Sequence, residues 1–130
     1  MLFFALACST MQHFAMVILI PFICSYKYTT IESYEIGILL AAATAGELAA
    51  NRILEPSISK FGTKWSIQLG FLSMVASSFA FWLVVARVKN DSEFLMYAFM
   101  SRFAYGAGAG LLRMVILIAR AQSKKGRIDM

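Results

Sequence analysis

The chain has 130 residues, 60% of them hydrophobic, with a mean hydropathy of +0.71. Only 15% are charged, where a soluble domain carries about a quarter, so an ordinary soluble globular fold is excluded. The net charge of +5, from 12 Lys and Arg against 7 Asp and Glu, lies mostly in loops and helix ends. Membrane orientation explains it there without any nucleic acid partner.

The apolar residues fall into four blocks, each long enough for a bilayer core that takes roughly 20 residues. The pattern predicts an all-α integral membrane protein, a single domain over 1–130 with spans at about 2–24, 34–54, 65–86 and 94–119. The first block has no positive leader and no small-residue cleavage site, so it reads as a retained helix and not a signal peptide. Inside it Ser9, Thr10, Gln12 and His13 form a polar cluster, and Ser9 and His13 share a face. His13 has two readings: a hydrogen bond to a neighbouring helix, or a pathway group that binds solute or carries a proton. Pro21 marks a kink or the start of the exit from the membrane. Ser25 to Glu35 then reads as a polar loop, with Tyr26 and Tyr28 as interfacial aromatics at its edge.

The second block is the small-residue helix, rich in Gly and Ala from Gly37 to Ala50. Small residues let helix backbones approach where no hydrophobic effect drives association in lipid. Thr44, Glu47, Asn51 and Glu55 fall within about 80° of one another on the helical wheel. Arg52 and Glu55 are near enough to the end to snorkel to water. Glu47 is not, and an ionisable group at that depth needs a buried partner or an aqueous cavity. Glu47→Gln is therefore expected to harm function or stability more than Glu55→Gln. Ser57 to Lys64 reads as a tight basic turn.

The third block carries Gln68, Ser73, Ser77 and Ser78 but no charge, and reads as the helix with least chemistry. The fourth holds Arg102 and Arg113 in an apolar sequence, with Gly106, Gly108 and Gly110 between them. Arg102, Arg113 and Arg120 return to within about 20° of one direction. Such a stripe pairs with other helices or lines a charged path; for Arg102 both readings stand. Because the second and fourth helices run in one direction, Glu47 and Arg102 are expected to be neighbours in one interior space.

Lys60, Lys64, Arg120, Lys124, Lys125 and Arg127 fall on one side of the membrane, and Lys27, Arg87 and Lys89 on the other. That asymmetry predicts cytoplasmic termini. The two cysteines, Cys8 and Cys24, lie more than four turns apart on one predicted helix and read as apolar filler. With one His and no nucleophile, metal or phosphate motif, neither an enzyme nor a bound cofactor is expected.

Two motifs resemble those of major facilitator superfamily transporters. Lys60, Gly62 and Lys64 match the basic-Gly-basic part of the signature between helices two and three. Glu55 and Ser59 stand where that signature has Gly and Asp. Arg102, Gly106 and Gly108 match the fourth-helix signature Arg-x-x-x-Gly-x-Gly. Tyr28-Thr29-Thr30-Ile31-Glu32, Ile36-Gly37 and Glu47-Leu48 further resemble the vesicular amine and polyamine branch. The resemblance implies the first part of an N-terminal six-helix bundle in a polyspecific transporter. Its solutes would be small, organic and often cationic, exchanged for protons. His13, Glu47, Asn51, Arg102 and Arg113 are the candidate solute and proton pathway. Glu47 suits a cation or a proton, while the arginines favour an anion unless they neutralise Glu47. The chain is then expected to need further C-terminal helices, or self-assembly, for activity. The alternatives are a self-contained four-helix exporter acting as a dimer, and a four-span structural or interaction protein.

Overall fold

The computed structural model describes residues 2–128, with side chains at 2–3, 5–6, 54–55, 57, 59 and 124–128 not described. Four helices account for almost all of it: α1 Leu2–Lys27, α2 Ser33–Phe61, α3 Thr63–Arg87 and α4 Asp91–Ile128. Each contains a stretch long and apolar enough to cross a membrane: Ala7–Lys27, Ser33–Ile53, Thr63–Arg87 and Asp91–Ser123. The chain is an all-α, multi-pass membrane protein.

The centre of the bundle is α4, packed along α2 on one side and α3 on the other; α2 and α3 barely meet. Glycine makes this possible. A Cβ on Gly106 would stand 1.8 Å from the Ala43 carbonyl oxygen, and one on Gly46 would stand 2.1 Å from that of Phe103. These reciprocal contacts seat α2 and α4 backbone to backbone, as small residues do where lipid offers no hydrophobic drive. The sequence positions rise together, so α2 and α4 are parallel. On the opposite face of α4, a Cβ on Gly108 would come within 2.7 Å of the Gly70 carbonyl oxygen of α3. Ser66, Gly70, Met74, Ser77 and Phe81 form the buried stripe of α3. Phe71, Leu72, Val75, Phe79 and Trp82 face outwards, as a lipid-exposed surface should. Ser73 links α3 to α4 by donating to the Ala104 carbonyl at 3.1 Å.

Helix α1 is held mainly at one end. There Ile20, Cys24, Tyr28, Leu39, Phe81, Phe94 and Ala98 make a buried cluster. Tyr28 is expected at a polar interface, yet it is buried in this cluster, whereas Tyr26 is exposed. The reason is a double anchor: its ring stacks on Phe94 at 4.0 Å between centroids, and its hydroxyl donates to the Val88 carbonyl at 2.7 Å. Burial first, and the Asp91 carboxylate second, push the phenol pKa above its ordinary value. The hydroxyl thus stays a proton donor. Lys27 also reaches across to the Val85 carbonyl. At the start of α2, the Glu32 N–H donates to the Glu35 carboxylate at 2.9 Å, which satisfies one orphan donor and sets negative charge at a helix N-terminus.

Several boundaries differ from the sequence reading, the loop expected at Ser25 to Glu35 being helical through Lys27 and again from Ser33. The basic turn expected at Ser57 to Lys64 is helical except for Gly62: α2 continues through Pro56 to Phe61, and α3 starts at Thr63. A proline removes one helical hydrogen bond, which a membrane helix tolerates. The stop comes instead at Gly62, whose φ of +82° favours glycine. Its N–H donates to the Ile58 carbonyl at 3.1 Å and its carbonyl accepts from the Ser66 hydroxyl at 3.0 Å. Likewise the basic tail after Gln122 is helical to Ile128, since Lys and Arg are good helix formers and suit a helix C-terminus. Pro21 lies inside α1, which runs on to Lys27.

Candidate functional site

Between α1, α2 and α4, within the spanning segments, lies a cavity of about 170 Å³. It is lined by Ser9 and His13 from α1, Ala43, Thr44 and Glu47 from α2, and Tyr105, Gly106, Ala109 and Arg113 from α4. The glycine contact explains its position. Because Gly106 carries no side chain against Ala43, α2 and α4 stay close while the residues flanking the seam turn towards α1. Helix α1 packs only sparsely on α2 and α4; away from the Tyr28 end it is tied by Tyr105 to Ser9 and by Gln12 to Ser78, and space remains beside Ser9 and His13.

The central interaction is a charge-assisted hydrogen bond from Arg113 Nη1 to Glu47 Oε1 at 2.5 Å. The Glu47 side chain is 22% exposed and that of Arg113 50%. The pair neutralises the carboxylate that the sequence leaves stranded at membrane depth. Tyr105 closes another wall: its hydroxyl donates to the Ser9 carbonyl at 2.9 Å, with the Ser9 hydroxyl 3.5 Å away.

The expected Glu47–Arg102 pairing is replaced by Glu47–Arg113. Both arginines lie on the same stripe of α4, so azimuth does not choose between them; level does. The seam sets Glu47 beside Gly110. A helical side chain leans towards its own N-terminus, so Arg113 leans back to that level while Arg102 leans away from it.

Arg102 is only 2% exposed. Its guanidinium carbon lies 5.1 Å from the centre of the Tyr105 ring, and its Nε and Nη2 have no hydrogen-bond partner among the described residues. A desolvated cation–π contact contributes about 2 kcal/mol. An arginine at the centre of a membrane helix costs about 3 kcal/mol or considerably more. The aromatic contact alone does not offset that.

Other expected site residues lie elsewhere. Asn51 sits one turn beyond Glu47, half-buried and off the cavity lining. Lys60, Gly62 and Lys64 are exposed at the α2–α3 joint. Gly108 faces α3, across the helix from the cavity that Gly106 lines. The polar face of α1 divides, with Ser9 and His13 on the cavity and Gln12 bonded to Ser78 of α3. Tyr105 was not singled out from the sequence as a site residue, although its place three residues after Arg102 sets the two on neighbouring positions. Among the described residues no group of three or more His, Cys, Asp or Glu side chains forms a metal site.

Fold and site together define a multi-pass membrane protein with a charged cavity inside its helical bundle. No family model, curated protein or solved structure matches the chain.

Proposed function

We propose that this chain forms part of a proton-coupled secondary transporter of small organic solutes, with both termini cytoplasmic. In this reading it corresponds to the first part of a major-facilitator N-terminal bundle. One observation carries the reading: the Glu47–Arg113 pair and His13 converge on one cavity inside the spans. Ionisable groups at that depth generally mark ion or solute paths. The carboxylate has three competing partners: Arg113, a proton, or the ammonium group of a solute. Protonating Glu47 frees Arg113, and an arriving ammonium displaces either one, which couples solute to proton by competition for a single anion. His13 sits across the cavity as a second group able to bind or pass on a proton.

Proteoliposomes with a pH gradient and labelled amines or polyamines test this. The chain alone is expected to bind solute without saturable uptake, because alternating access needs an opposing half to rock against. Saturable uptake by the chain alone would favour the self-contained dimeric exporter. If labelled solute neither binds nor enters at any pH, the transport reading fails.

Orientation is tested separately, in a background with Cys8 and Cys24 replaced by alanine. Cysteines introduced at Ser33 or Asp91 are expected to react with an impermeant reagent from outside, and those at Thr63 or Ser123 are not. The opposite pattern inverts the topology.

A further inference from the structure

We propose that one end of the bundle, where α2 meets α3 and α4 runs out of the membrane, binds the headgroups of anionic phospholipids. The inference stands apart from the transport reading. Its starting point is a joint with no loop. Only Gly62 separates α2 from α3, so Lys60 and Phe61 close one helix while Lys64 and Trp65 open the next. All four are exposed, Phe61 at 70% and Trp65 at 66%. Two cations and two aromatic rings are thereby carried on helical backbone.

Helix α4 brings further charge to the same level. Ile58 of α2 packs in one cluster with Leu111 and Val115 of α4, and Ile118 lies against it. Lys60 comes two residues after Ile58, and the exposed Arg120 two after Ile118. The two helices are parallel, so Lys60 and Arg120 lie within about one helical turn in height. Beyond Arg120, α4 continues as helix past Lys124 and Lys125 to Ile128. Over 56–65 and 114–130 the sequence has six Lys and Arg against a single acid, Asp129. Among the described residues Lys60, Lys64 and Arg120 have no carboxylate partner, Glu47–Arg113 being the one ion pair. Depth decides what meets these charges. Thr63 begins one spanning segment and Ser123 ends another, which sets this layer among the headgroups. Basic residues on a flexible loop set orientation and need no ligand. Here they are fixed beside exposed rings, and cations at that depth meet lipid phosphate and carboxylate while the rings lie at the water boundary. A soluble acidic partner accounts for the cations alone; an anionic lipid accounts for cations and rings together.

The two tryptophans provide the test. Trp65 reports on this surface, and Trp82, 63% exposed near the far end of α3, reports on the opposite leaflet. In the full chain, Trp82→Phe and Trp65→Phe each leave one reporter. Both proteins are placed in bilayers of phosphatidylcholine and phosphatidylserine, with quenching bromines on the acyl chains of one lipid or the other. At Trp65 phosphatidylserine is expected to be preferred at least threefold, and at Trp82 not at all. Raising the salt shrinks the preference, because exposed charges are screened. Lys60→Gln, Lys64→Gln and Arg120→Gln together abolish it, whereas Lys60→Arg with Lys64→Arg keeps it. Equal preference at the two tryptophans overturns the proposal, as does a preference that survives loss of all three cations. So does a preference lost on adding inorganic phosphate at constant ionic strength, which would make a soluble anion the ligand.

Discussion

Gly106→Ala separates α2 from α4, whereas Gly37→Ala leaves the protein intact or slightly more stable. The contrast comes from what each new methyl group meets. At Gly106 it would lie 1.8 Å from the Ala43 carbonyl oxygen, 2.6 Å from its carbonyl carbon and 2.9 Å from its Cα. All three are backbone atoms of a helix, so no rotamer change relieves the clash. The helices must move apart, and the second reciprocal contact, Gly46 against the Phe103 carbonyl, opens with them. Overpacking of this kind costs roughly 3 kcal/mol or more. At Gly37 nothing lies within 4 Å, and replacing an exposed helical glycine by alanine contributes about 1 kcal/mol of helix propensity. Equilibrium unfolding in bicelles reads both changes. A Gly106→Ala protein as stable as wild type would mean that the glycine seam does not hold the bundle.

The seam also explains how far the sequence could be read. Four apolar blocks were enough to place the helices, and the small residues from Gly37 to Ala50 marked α2 as a helix built for close approach, but not which helix it approaches. His13, Glu47 and Arg113 were legible as site candidates because polar groups in apolar helices have few places to go. The level at which they meet was not legible. A helical wheel gives azimuth, and Arg102 and Arg113 differ by only about 20°. Which of them reaches Glu47 depends on the register of α2 against α4, fixed by Ala43 lying on Gly106. That contact belongs to two helices at once, and neither helix reports it alone. Tyr28 illustrates the same limit. Its position beside a polar loop fits an interfacial aromatic, but the Val88 carbonyl and the Phe94 ring that bury it come from 60 and 66 residues further on. The helical path through Pro56 was hidden for a different reason, since proline and serine there have the local chemistry of a turn and only the membrane setting tolerates the lost hydrogen bond.

The second large effect is expected from reversing charge across the cavity. Glu47→Arg places a cation against Arg113, with Arg102 and His13 also on that side of the bundle. Half-exposed Arg113 relieves part of the like-charge repulsion by turning away, but the anion that holds an ammonium is gone, and ammonium binding falls more than tenfold. Adding Arg113→Glu to that variant restores binding to within about threefold, because an opposite-charge pair is re-formed between the same two helix positions, and tenfold corresponds to about 1.4 kcal/mol. Glu47→Gln is milder towards stability: Arg113 is half-exposed and can turn away from the neutral amide, so the expected loss is about 1 kcal/mol. It is not milder towards coupling, since glutamine can neither take up a proton nor hold an ammonium by charge. The signature of a shared proton and solute site is therefore an uncoupled Gln variant that remains folded. In Glu47→Gln the coupling of ammonium binding to the proton gradient disappears. A swap variant as damaged as Glu47→Arg alone would show that Glu47 and Arg113 act through separate partners, and a Gln variant with the wild-type coupling would move the proton site elsewhere, with His13 the first residue to test.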